Sequence, residues 1–132
     1  MDFRLNEDQL SLQKAAREFL SKECTTLVVR TAFEGPDGSA AELYKKMADI
    51  GWLALAVPEE DGGLGMGLVE LAVLIEQLGY HDAPGPFFST AAMAIPALLK
   101  LGAKDKVESL LDGSKAATLV ASPRRRNDTW IQ

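Results

Sequence analysis

Between Gly51 and Gly67 the chain reads GWLALAVPEEDGGLGMG, and this stretch limits the possible folds more than any other. Gly51 is placed to stop a helix. Trp52–Val57 is a short apolar run that Pro58 ends, and its length suits a strand-like or irregular buried segment better than a helix. Glu59, Glu60 and Asp61 follow as a solvated turn whose charge favours the dipole of a later helix. The glycines at 62, 63, 65 and 67 permit sharp turning and close backbone packing. A phosphate loop does not fit, because Gly-x-Gly-x-x-Gly is absent, no Lys-Ser/Thr pair follows and no βαβ context surrounds it. The stretch is best read as a packed turn between two helices.

Helical patterns occupy most of the chain around it. Asn6 caps a first helix and Gln9 completes a capping box. Leu12, Ala16, Phe19 and Leu20 share its inner face, and it runs to about Thr25, where β-branched Thr25, Thr26, Val28 and Val29 blur its end. Gly35-Pro36-Asp37-Gly38 is a turn. Ser39 with Glu42 forms a second capping box, ahead of a buried stripe at Leu43, Met47 and Ile50. A third helix spans about Leu68–Leu78, with Leu71, Leu74, Ile75 and Leu78 inward and Gly79 as its stop. Asp82-Ala83-Pro84-Gly85-Pro86 is a loop. A fourth helix runs from near Ser89 to Lys100 with a kink or late start at Pro96. A fifth covers about Lys104–Leu111 and ends near Gly113. Ala117–Ala121 (ATLVA) has the composition of a strand. The fold class is all-α: a bundle of about five helices with a short strand-like segment near the C-terminus.

Bulk properties exclude several functions. The 132 residues suffice for one domain with a substantial core. A net charge of −5 argues against a nucleic-acid partner, and Arg124–Arg126 reads as a charged terminal tail. The lone Cys24 cannot form an internal disulfide and reads as a buried, inert thiol in a reducing compartment. No apolar run approaches the ~20 residues needed to span a bilayer, and the acidic N-terminus has no signal-peptide pattern, so the expected location is cytoplasmic. One cysteine and one histidine are too few for a zinc site. His81 reads as a solvated surface imidazole, and no Ser/His/Asp set can be assembled.

Four stretches together resemble the N-terminal helical domain of the acyl-CoA dehydrogenase family. They are Phe3-x-Leu5 with Gln9-Leu10 and Ala16-Arg17-Glu18-Phe19-Leu20; Glu42-Leu43-Tyr44-Lys45-Lys46-Met47-Ala48 into Gly51-Trp52-Leu53; Val57-Pro58-Glu59-Glu60 with Gly62-Gly63-Leu64-Gly65; and Glu76-Gln77-Leu78-Gly79 with Ala83-Pro84-Gly85-Pro86-Phe87. They occur in the family's order across residues 1 to about 113. The resemblance implies an oxidoreductase that desaturates the α–β bond of an acyl-CoA thioester. FAD accepts the β hydride and a glutamate takes the α proton. FAD and that glutamate belong mainly to a middle β domain and a C-terminal helical domain, so this chain alone is expected to bind no FAD and to be inactive.

The part implied for this domain is a wall of the acyl pocket, built by Ser89, Thr90 and Met93 with Phe87 and Phe88 close by. Residues 114–132 are expected to begin a truncated middle β domain or to form a tail. After Ser122-Pro123 the sequence leaves the family pattern, which suggests a truncated or frameshifted reading frame or a fragment. The alternative is a non-catalytic helical subunit that binds a separate flavin-bearing chain. In either case the face that would meet the other domains is expected to be apolar and able to self-associate.

Overall fold

The computed structural model of the protein describes residues 4–120. The chain forms α1 (Glu7–Glu23), α2 (Thr26–Glu34), α3 (Ala41–Asp49) and α4 (Leu68–Tyr80), then a π-helical segment, Phe88–Ala94, that runs directly into α5 (Ile95–Lys100), and finally α6 (Lys104–Leu111). Single 3-10 turns at Trp52–Ala54 and Glu59–Asp61 lie between α3 and α4. No strand occurs among the described residues. The helical bundle is therefore as expected, whereas the strand-like segment near the C-terminus is not supported at residues 117–120; Ala121 and Arg124–Arg126 lie outside the described residues. A strand exists only through a ladder partner. Here both backbone polar groups of Ala117 bond to the hydroxyl of Thr90 instead.

Local chemistry explains where the helices begin and end. Asn6 and Gln9 make the expected reciprocal capping box on α1, at 2.8 and 3.0 Å. Thr25 then accepts a bond from the Val28 N–H and starts α2, so the β-branched stretch is a new helix, not the frayed end of the first. The expected Ser39/Glu42 box does not form. α3 starts at Ala41 behind Ala40, one residue later than that box requires, and has no side-chain cap. Ile50 follows as its C-cap and is 47% exposed, so it leaves the buried stripe to Leu43, Tyr44, Met47 and Ala48. α4 continues past Gly79 to Tyr80, and the chain turns at Asp82, whose φ is +50°.

Trp52–Val57 is irregular and mostly buried, the second of the two conformations its length allowed. The principal core joins α1, α3, α4 and this stretch around Leu20, Met47, Leu53 and Leu74, with Phe19 edge-on to Trp52 at 4.9 Å. A smaller core of Val57, Ile95, Val107 and Leu110 seats α5 and α6. Among the described residues no helix is long and apolar enough to cross a membrane.

Candidate functional site

Pro96 shapes the region that carries the candidate site. It has no N–H to donate, and its ring collides with the carbonyl four residues earlier in a regular helix. The preceding turns widen: the Ile95 N–H bonds to the Thr90 carbonyl, an i to i+5 spacing, and residues 88–94 become π-helical. Such widened turns recur at functional sites.

A groove of about 280 Å³ opens where the end of α4 meets the start of this segment. It is mostly apolar: Ile75, Leu78 and Gly79 of α4 line it together with Phe87 and Phe88, and Asp82, Ala83 and Gly85 of the connecting loop complete the lining. Phe87 is buried in the principal core, whereas Phe88 is 56% exposed. Two of the five sequence-predicted residues therefore meet at one apolar surface. The other three do not line the groove. The Ser89 hydroxyl donates to the Pro86 carbonyl at 3.0 Å. Thr90 is fully buried, donating to the Ala117 carbonyl at 3.1 Å and accepting from the Ala117 N–H at 3.0 Å. Met93 is half-buried in the same widened turns.

Ile75 and Gly79, one helical turn apart, are groove residues that the sequence reading assigned to the core and to a helix stop. Tyr44 was also missed. It is buried, its hydroxyl donates to the Lys115 carbonyl at 3.3 Å, and burial pushes its pKa up. Its signal in the sequence was faint, a tyrosine beside Leu43 on the inner face of α3.

His81 is not simply solvated. Its Nδ1 lies 2.9 Å from the Gln77 carbonyl and its Nε2 3.2 Å from the Ser21 hydroxyl, which joins the ends of α4 and α1. Cys24 is buried as expected. Burial, then the charge of Asp82, raise its thiol pKa, which disfavours the reactive thiolate. No group of three metal-ligating side chains occurs among the described residues.

The glycine-rich turn does not fit the pyrophosphate of a flavin. Its N–H groups are spent internally: Gly62 on Glu59, Gly63 on Pro58, Leu64 on Ala54, Gly65 on Val57 and Met66 on Leu55. Glu59, Glu60 and Asp61 also place negative charge beside it.

A family model described as acyl-CoA dehydrogenase, N-terminal domain, matches residues 6–114. The acyl-CoA dehydrogenase IpdE2 of Mycolicibacterium smegmatis is 32% identical over 120 residues, covering 90% of this chain and 38% of that protein. Acryloyl-CoA reductase (NADH) of Anaerotignum propionicum is 33% identical over 112 residues, covering 84% of this chain and 28% of that protein. The chain thus spans between about a quarter and two-fifths of these relatives. Among solved structures, the ChsE4-ChsE5 complex from Mycobacterium tuberculosis superposes with a TM-score of 0.80 at 27% identity, covering 89% of this chain and 34% of that one. A variant of the Tcur3481-Tcur3483 steroid ACAD gives 0.77 at 31% identity, covering 85% and 32%.

Proposed function

The chain belongs to the acyl-CoA dehydrogenase family, as its N-terminal helical domain, and from that premise we propose that it forms one wall of an acyl-CoA site in a flavin-dependent desaturase. The observation that supports this most is the apolar groove between Ile75, Leu78, Phe87 and Phe88, which suits a hydrocarbon portion of a ligand. Phe88 presents an exposed aromatic ring there, beside Phe87, which is buried in the core. On this reading residues 1–113 are the helical unit, and residues 114–132 begin a middle β domain or form a tail.

The residues of this chain bind and orient; they do not transfer a hydride or remove a proton. FAD and the proton-abstracting carboxylate belong to other domains of the assembly, and the glycine turn here is not a flavin site. A second reading is that this chain is a helical subunit completed by a separate flavin-bearing chain. Its support is that one structural neighbour is a two-component complex.

A domain exchange tests the first reading. Residues 6–114 would replace the equivalent domain of a family enzyme, and oxidation of acyl-CoA substrates of graded length would be followed with an electron-accepting dye. The chimera should keep its flavin, and Phe88→Ala should change KM or chain-length preference while leaving bound flavin intact. A flavin-loaded, active chimera indifferent to Phe88→Ala across the series would refute the groove assignment. Co-purification of a flavin-bearing chain with the native protein would favour the subunit reading.

A further inference from the structure

The segment that follows α6 is attached to the bundle at successive points, although it forms no regular structure. Lys45 Nζ donates to the Asp112 carbonyl at 2.8 Å. Gly113, with φ at +71°, lies so close to α3 that a Cβ there would sit 2.6 Å from that of Ala48. Tyr44 donates to the Lys115 carbonyl, and Thr90 both donates to and accepts from Ala117. The bonded backbone groups belong to Asp112, Lys115 and Ala117; Ala117 is half-buried, while Lys115, Ala116 and residues 118–120 are exposed, Val120 at 84%.

Thr90 is the informative member. A buried hydroxyl is costly unless it is paired, and valine would fill the same volume without that cost. Thr90 has no access to solvent, and the two polar groups of a single residue, Ala117, satisfy its donor and its acceptor. This geometry imitates the paired bonds between neighbouring strands, with one side chain in place of a strand.

We infer that Thr90 and Tyr44 are positioning residues that latch the backbone of residues 115–117 to the bundle and so fix the point and direction in which the chain leaves it. The latch separates Thr90 from the acyl-wall role that the family resemblance suggested, because its hydroxyl is committed to Ala117. It does not rest on the acyl-CoA reading and would hold for any unit that continues beyond residue 120.

Residue-resolved amide exchange on the full chain tests it. In the native protein the Ala117 amide should be protected although it lies in no helix. Thr90→Val should speed its exchange by about tenfold or more, and by clearly more than it speeds the amides of α4, a local opening added to any global destabilisation. Thr90→Ser should restore protection, because it keeps the hydroxyl. Unprotected Ala117 in the native protein, or unchanged exchange in a folded Thr90→Val, would overturn the latch. If Thr90→Val does not fold, Thr90→Ser decides: native-like protection of Ala117 supports the latch, and loss of protection overturns it.

Discussion

Two irregular segments solve the same problem in opposite ways. Between Ala54 and Met66 the backbone satisfies itself: Leu64, Gly65 and Met66 bond back to Ala54, Val57 and Leu55 across a tight double turn. Between Asp112 and Ala117 the backbone is satisfied by side chains of distant helices, from Lys45, Tyr44 and Thr90. Both avoid unpaired buried polar groups. The first is a local unit whose shape depends on its own glycines. The second has a shape only because the bundle is already assembled, so it should be the more easily detached.

The largest perturbation should come from the self-contained turn. A Cβ on Gly63 would overlap the Val57 carbonyl, a backbone group with no room to yield. Gly63→Ala should cost about 3 kcal/mol or more in chemical denaturation. A value under about 1 kcal/mol would mean that the turn is looser than its hydrogen bonds indicate. Gly113→Ala combines a left-handed φ with a contact of 2.6 Å to the Ala48 Cβ, a smaller overlap than the 2.0 Å at Gly63. A cost of about 2 kcal/mol is expected, together with exchange broadening at residues 114–117 in NMR spectra. Thr90→Val should cost about 1 kcal/mol, because the Ala117 groups it releases are close enough to the surface to find water.

Acid gives the mildest and most selective separation. Ser114 lowers the Asp112 pKa, first through its side chain and next through its N–H, which donates to the carboxylate at 2.7 Å. A lowered carboxylate pKa contributes stability above the ordinary carboxylate range, and that contribution is lost as pH falls through the folded value. The Ser114 amide resonance should therefore move as pH drops below about 4, while the amides of Leu64 to Met66, bonded to carbonyls that do not titrate, should hold still. Glu23, lowered chiefly by its hydrogen bond from Lys46, and Glu70, lowered chiefly by Gln9, titrate with the same sign. Coincident movement of the turn and exit resonances would indicate a global acid transition instead.

The same contrast explains what the sequence could reveal. Gly, Pro and acidic residues announce the turn because its causes lie within it. The capping box at Asn6 and the apolar spacing of α4 are local in the same sense, and both match the structure. The exit segment was read as a strand because ATLVA has strand composition, and nothing nearby in the chain reports that Thr90, 27 residues earlier, takes the place of a partner strand. α2 was hidden because its β-branched residues disguise a cap at Thr25. At the candidate site, Phe87 and Phe88 were legible as apolar residues after a proline-rich loop. The division between a groove-lining pair and an inward Thr90 was not, since it depends on helix packing and on a π-helical widening that the proline induces.

The acyl-wall assignment is most directly tested by photolabelling in the domain chimera, with an acyl-CoA that carries a diazirine near the end of its chain. Peptide mapping should place the adducts on Phe88 and Ile75, at the groove between α4 and the π-helical segment. Adducts confined to the other domains, or found on this chain only in the separate cleft between α2 and α3, would contradict it.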